Sequence, residues 1–460
     1  MRSNFSVTTL TMSLGFLLVQ LDVSIVNIAL ASIADSIHTG VTGLQWIVDS
    51  YALAFASLLL SAGALGDRVG ARRTFIGGLA LFLLGSLGCG LAPDSSALIA
   101  ARVLQGIGAS TLVPCSLALL NHAAHGNATT RARAISLWTA AGSIGLALGP
   151  VLGGVLVTAF GWRSIFFVNL PFAAGGIILA RRFVEETPLH PRAGDGVGQA
   201  LATLSLFGLT AAVIEAGALG WASPLVCAAV ALAVVGFGAF IATEHASSQP
   251  MLPLGFFRHS AFAAATLVGF LLNLAVYGAL FVLALYFRQT HHLSALLTGV
   301  ALLPLAVAVF AANIVAGQLA DRLSPRVIMA GGLLVGSTGA WLLRNIGATT
   351  PYDAILPGLV LLPFGIGLAV PIMTTVVLGT VPRSRAGVAS GVLNSVRQAG
   401  GAIGVALFGS QMASSGSGIV DAFAVSAGLL ASGAAIAACF IRTDRVAMLD
   451  VTVRRVGGRG

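Results

Sequence analysis

The chain has 460 residues, 57% of them hydrophobic and only 8% charged, with a mean hydropathy of +0.97 and a formal net charge of +9. Soluble domains carry about 25% charged residues, so a soluble core of this size is excluded. The basic residues are all arginine and lie in small groups along the whole chain, which excludes a nucleic-acid surface and reads as contact with anionic lipid head groups.

About twenty apolar residues cross a bilayer as a helix. In chain order, stretches of that kind predict fourteen spans, near 8–34, 44–64, 74–93, 96–119, 133–157, 164–182, 199–221, 223–243, 261–287, 294–318, 327–345, 355–379, 388–411 and 418–441. With the N-terminus in the cytoplasm, nineteen of the 24 arginines fall in cytoplasmic segments. Only Arg163, Arg288 and Arg344 fall outside, and Arg102 and Arg397 lie within spans. Cytoplasmic enrichment of this kind orients membrane proteins, and removing any one span would invert every later loop. Both termini are therefore expected in the cytoplasm. No cleavable signal peptide is expected, because the first span is too long for one and carries an acid.

That acid is Asp22, in Leu21-Asp22-Val23-Ser24-Ile25-Val26-Asn27-Ile28-Ala29-Leu30. A carboxylate in hydrocarbon is costly and marks a functional site by default; a proton is the cheapest thing that neutralises it. Asn27, a turn further on, is a candidate for the cavity wall. The second span opens with Trp46, Asp49 and Tyr51. Trp and Tyr favour the membrane interface, so Asp49 is expected there too, with Trp46 and Tyr51 as candidates for stacking on a substrate.

Between the second and third spans lies Gly63-Ala-Leu65-Gly-Asp67-Arg68-Val-Gly70-Ala-Arg72-Arg73, read as a charged loop. A second copy, Gly317-Gln-Leu319-Ala-Asp321-Arg322-Leu-Ser-Pro-Arg326, follows the tenth span. Eight crossings separate the copies, where a parallel duplication of six helices would give six. Two inserted helices, 199–243, account for the rest. The chain is thus read as 1–182, a six-helix half; 183–260, an inserted two-helix hairpin with its linkers; 261–441, a second six-helix half; and 442–460, a cytoplasmic tail. Repeats related by an axis along the membrane normal are a known transporter architecture with the binding site at their interface.

The fourth span contains Arg102-Val-Leu-Gln105-Gly106. A buried arginine needs a partner or a water-filled cavity. At about 1.5 Å per residue, Asp22 and Arg102 differ in depth by roughly 9 Å, which leaves open a direct bond or one through water. In the fifth span, Gly145-Leu-Ala-Leu-Gly149-Pro150-Val-Leu-Gly153-Gly154 offers a flat helix face for close packing, and the proline bends the helix. Glu215, in the outer third of the seventh span, reaches the interface or serves the pathway. Arg397-Gln398 in the thirteenth is placed to line the cavity. The four cysteines lie in apolar spans without metal spacing and are read as buried packing residues.

The pattern G-x-L-x-D-R-x-G-x-R-R after the second span resembles the signature loop of the major facilitator superfamily. R-x-x-Q-G in the fourth span and G-x-x-x-G-P-x-x-G-G in the fifth resemble that superfamily's proton-coupling and antiporter motifs. Together with the Asp22 string, Trp162-Arg163-Ser-Ile165-Phe166-Phe167-Val-Asn169-Leu170-Pro171 and Pro250-Met251-Leu252-Pro253-Leu254, they resemble the fourteen-helix drug:proton antiporter-2 family. The resemblance implies an all-α major facilitator fold with fourteen transmembrane helices and proton coupling through Asp22 and Arg102. It implies a cytoplasmic latch of Gly63, Asp67, Arg68, Gly70 and Arg73, repeated at Asp321 and Arg322, and a hinge at Gly145, Gly149, Pro150, Gly153 and Gly154. The function implied is export of hydrophobic or amphipathic compounds, antibiotics among them, against protons.

The alternatives are a proton-coupled symporter or an exporter of one metabolite; the fifth-span motif argues against uptake. No G-x-x-x-x-G-K-[ST] string offers an ATP site, and no cluster of His, Asp or Ser suggests an enzyme. No metal or cofactor is expected. The partners expected are protons, lipid and a small molecule, for which one in-membrane acid would tolerate a cation, and the chain is expected to work as a monomer.

Overall fold

In lipid every backbone polar group must be satisfied within its own segment, and in the computed structural model the described residues form helices and connecting turns, with no strand among them. The structure describes residues 2–124, 128–189, 195–247, 250, 252–320, 322–381, 386–414 and 418–441. The first part comprises α1 (Arg2–Ile37), α2 (Val41–Val69), α3 (Ala71–Leu91), α4 (Ser95–Ala123), α5 (Ala128–Phe160), α6 (Ser164–Phe167) and α7 (Asn169–Phe183). A hairpin of α8 (Gly196–Leu219) and α9 (Pro224–Ala246) follows. The second part comprises α10 (Ser260–Leu285), α11 (Ala295–Ala301), α12 (Leu303–Ala320), α13 (Pro325–Leu343), α14 (Tyr352–Gly379), α15 (Ala386–Ser414) and α16 (Gly418–Phe440).

Among the described residues, 11 helices are long and apolar enough to cross a membrane, or 13 when two bent ones each count as one span, against the fourteen expected. The expected span 388–411 is helical as α15, but Asn394, Arg397 and Gln398 keep it too polar to be counted. The two bent helices are α2, turning by 54° near Leu59–Ser61, and α5, turning by 41° near Leu146–Leu148. The second bend lies one turn before Pro150, whose missing N–H frees a carbonyl there.

The segment expected as a loop between the second and third spans is almost entirely helical. α2 runs to Val69 and α3 begins at Ala71, so Gly63, Asp67 and Arg68 lie on α2 and Gly70 alone makes the turn. Its φ of +107° is open to glycine and strained for other residues. Asp94 and Asp195 accept from Ala97 N at 2.8 Å and Gly198 N at 2.7 Å, capping α4 and α8. Pro224 and Pro325 occupy first-turn positions of α9 and α13, where the missing N–H costs nothing.

α1 packs closely on α5, α3 on α4, α10 on α15, and α13 on α14 and α16. The hairpin helix α8 lies against both α2 and α15, bridging the two parts. Their direct contacts gather at the end where α1 finishes and α2 begins. There Gln45 Nε2 donates to Ala406 O at 2.7 Å and Arg288 Nη2 to Ser32 Oγ at 3.2 Å. Gly154 faces Ala295 O, and Gly299 faces Pro150 O, in each case too close for a Cβ. Of the four cysteines, Cys89 and Cys115 are buried, but Cys227 and Cys439, expected inside, sit exposed on the outer faces of α9 and α16. Apolar spans do not by themselves say which of their faces is covered.

Candidate functional site

The carboxylate of Asp22 sits midway along α1 at 0% exposure and is held by three side chains from two other helices. Arg102 Nη1 of α4 donates to Oδ2 at 2.5 Å; Gln105 Nε2 of α4 and Asn169 Nδ2 of α7 donate to Oδ1 at 2.7 and 3.0 Å. The two residues whose contact the one-dimensional depth estimate left open are therefore directly paired. Arg102, itself 1% exposed, also donates to Gln105 Oε1 at 2.7 Å and through Nε to Ile47 O of α2 at 3.1 Å. Ser86 of α3 receives Gln105 Nε2 at 2.8 Å and Asn169 Nδ2 at 3.3 Å. One ion pair and its amide partners thus join α1, α2, α3, α4 and α7.

Such a pair is stable only while both members are present. Buried ions cost so much to desolvate that removing one partner typically costs about 3–5 kcal/mol, because it strands the other. Adding a proton to Asp22 would dissolve the pair in the same way, while leaving Arg102 its bonds to Gln105 and Ile47. The arrangement is an ion pair buried among five helices.

On its other side the guanidinium of Arg102 lies 4.2 Å from the centre of the Tyr51 ring. Tyr51 and Arg102 form part of the wall of a central cavity, together with Asn27 of α1, Tyr277 of α10 and Gln398 of α15. Its volume is about 30 Å³. Ligand sites for drug-sized molecules measure roughly 300–1,000 Å³, so this cavity is too small to hold one in the conformation seen. Asn27 Nδ2 is tied back to Val23 O at 2.9 Å. Asp22 does not line this cavity; its charge is spent on Arg102 behind the wall.

Two other expectations also change. Asp49, expected at the interface, is 0% exposed, and neither carboxylate oxygen has a hydrogen-bond partner among the described residues. Trp46 points away from the cavity; its indole Nε1 donates to Glu215 Oε1 at 2.9 Å, and its ring lies 5.7 Å from that of Phe207. Glu215 and Trp46 therefore fasten α8 to α2. In both cases azimuth around the helix decides the environment, and sequence position alone gives only depth. Arg397 sits on α15 with Nε 3.3 Å from Asn273 Oδ1 of α10.

The glycines of α5 meet the turn of α1 that carries Asp22. A Cβ at Gly145 would come within 2.5 Å of Leu17 O, one at Gly149 would overlap the Ser24 hydroxyl, and one at Gly153 would lie 2.8 Å from Ile25 Cγ1. Ser24 Oγ in turn donates to Gly145 O at 3.4 Å. Gly154 faces the opposite way, toward α11.

At the end where α2 meets α3, Glu186 accepts from Arg72 N at 2.8 Å and Arg73 N at 3.2 Å, capping α3, while Thr187 Oγ1 accepts from Ala71 N at 3.1 Å. Arg72 and Arg73 Nε also lie 3.8 and 3.9 Å from its carboxylate. Arg73, expected to help latch the two halves, is thus engaged together with Arg72 by the segment after α7. A Cβ at Gly63 would lie 3.5 Å from Pro114 Cβ of α4, Arg68 and Arg322 are exposed, and Asp321 lies outside the described residues. Asn169, Ser86 and Glu186 carry no role that the sequence points to. The available signal was a polar residue inside an apolar span, which singles out Ser86 no better than many others.

A family model of the Major Facilitator Superfamily matches residues 12–405. The chain is 38% identical over 395 residues to the methylenomycin A resistance protein of Streptomyces coelicolor, covering 86% of this chain and 83% of that protein. It is 40% identical over 408 residues to the multidrug resistance protein Stp of Mycobacterium tuberculosis, covering 88% and 75%. In fold it is similar to a solved D-xylose-proton symporter, with a TM-score of 0.71 at 13% identity over 96% of this chain and 98% of that one.

Proposed function

The chain belongs to the Major Facilitator Superfamily, and from that premise we propose that it is a proton-driven exporter of hydrophobic or amphipathic compounds. Relatives named for resistance to antibiotics and drugs support export. The fold alone does not give direction, since a symporter shares it; the α5 glycine and proline motif supports the outward one. In this reading 1–182 and 261–441 rock about the central cavity, with 183–260 bridging them and the chain acting as a monomer.

The observation that carries the proposal is the double contact of Arg102, which pairs with Asp22 behind the wall and lines the cavity in front of it. A proton arriving at Asp22 frees Arg102 and so alters the wall that a substrate touches. A substrate against Tyr51 and Arg102 acts back on the pair. Reciprocity of this kind is what coupling requires. The glycine stripe of α5 ties the Asp22 turn of α1 to a helix that also reaches α11, so a change at the pair is passed to the contact between the halves.

The test is uptake of amphipathic fluorescent probes, anionic, neutral and cationic, into everted membrane vesicles energised with a proton gradient. Uptake that collapses with a protonophore and in Asp22→Asn is expected for at least one probe. Uptake that persists in Asp22→Asn would refute coupling through this residue.

A further inference from the structure

The second half of the chain holds one cation at mid-depth and no acid to match it. Between 261 and 441 the only carboxylates are Asp321, Asp353 and Asp421. Asp321 follows the end of α12, and the other two lie in the first turns of α14 and α16. Arg397 lies eleven residues into the 29-residue α15. Its stem packs 3.0 Å from where a Cβ of Gly269 would be, and its single hydrogen bond goes from Nε to Asn273 Oδ1. Among the described residues, Nη1 and Nη2 have no protein partner and no carboxylate lies within ion-pair distance.

The first half does not compensate. Asp22 is consumed by Arg102, Glu215 by Trp46, and Asp49 is enclosed on α2 without lining the cavity. Arg397 is not itself among the residues that line the cavity, but it borders them: Gln398 beside it and Gly401 one turn on both line it, as does Tyr277, one turn beyond Asn273 on α10. A guanidinium half-buried inside a membrane bundle requires an anion or water, and its free edge presents two parallel N–H donors suited to a carboxylate.

We infer that Arg397 is the recognition site for an acidic group on the substrate, and that the compounds carried are amphipathic organic anions. The apolar body would lie among Val26, Phe55 and the rings of Tyr51 and Tyr277, with its carboxylate or enolate against the Nη edge of Arg397. This rests on the export reading only in taking the central cavity as the substrate site.

The experiment is equilibrium binding of a dansyl-labelled medium-chain carboxylic acid and its methyl ester to the full-length protein in lipid nanodiscs, with empty nanodiscs subtracted. The wild type is expected to prefer the acid at least tenfold. Arg397→Gln is expected to weaken acid binding by about 10- to 100-fold, as for loss of a charge-assisted bond, and to change ester binding less than about threefold. Arg397→Lys should keep part of the preference. Equal binding of acid and ester by the wild type would overturn the inference. So would equal loss of both ligands in both variants, because the residue would then be structural. Flux in proteoliposomes separates this from the export reading. Acid-selective binding with no gradient-driven flux leaves the site standing and removes proton-driven export; gradient-driven flux of the ester and a lipophilic cation, but not the acid, does the reverse.

Discussion

Arg102 lies between Asp22 and Tyr51, 2.5 Å from the carboxylate of one and 4.2 Å from the ring centre of the other. One side chain therefore belongs at once to a closed ion pair and to the cavity wall, and most of what can be tested follows from that position.

Because both partners are buried, Arg102→Gln is expected to destabilise the protein by about 3–5 kcal/mol by stranding Asp22. Asp22→Asn alone should abolish gradient-driven transport and destabilise comparably. The double variant should recover a large part of the lost stability, though none of the transport. Thermal unfolding in detergent checks the energies; additive losses in the double variant would mean that the pair does not act as a unit.

Gly149→Val forces a side chain onto the Ser24 hydroxyl. Overpacking of this sort costs about 1–3 kcal/mol, and transport should fall at least tenfold because α5 can no longer seat against the Asp22 turn. Gly77→Ala is the control, since a Cβ there meets nothing within 4 Å. Parallel transport assays on the two variants decide the point.

Glu186→Ala removes the acceptor for Arg72 N and Arg73 N at the start of α3. A lost cap costs about 1 kcal/mol. The accompanying ion pairs, whose arginine side chains are 32% and 68% exposed, add little after solvent screening. A loss near 1 kcal/mol at moderate salt is the expected result, and a loss above about 3 kcal/mol would show that the segment does more than cap.

Glu215→Gln should leave the dependence of transport on the proton gradient within about threefold of wild type. The amide still accepts from the Trp46 indole by the same geometry, and the bond fastens α8 to α2 away from the cavity. Collapse of gradient-driven uptake in this variant would instead assign Glu215 to the proton path.

Asp49→Leu should raise stability by about 1–3 kcal/mol, since it replaces a fully buried carboxyl group without partners by an apolar side chain of similar size. Thermal unfolding measures it directly; a fall in stability would mean that the carboxyl has a partner after all.

The residues divide clearly between what a linear reading can reach and what it cannot. Hydropathy placed the apolar helices, because crossing a bilayer needs a length of apolar chain and that is a local property. Local chemistry also marked Asp22, Arg102 and the α5 glycines, each unusual for its own stretch. The end of α2 was misjudged because charge suggests a loop, yet Asp67 and Arg68 continue the helix to the one position, Gly70, where φ turns positive.

Partnership, by contrast, depends on packing. The depth difference between Asp22 and Arg102 left a direct bond and one through water equally open, and the packed helices bring the long arginine side chain directly onto the carboxylate. Asp49 and Trp46, three residues apart and alike in depth, end in a sealed interior and against α8. A membrane-spanning helical bundle, its family and its unusual charged residues are legible along the chain, since composition, length and motif are carried within single segments. Which charge meets which, and which is left without a partner, depends on rotation about each helix axis, and that is set only when the helices pack together.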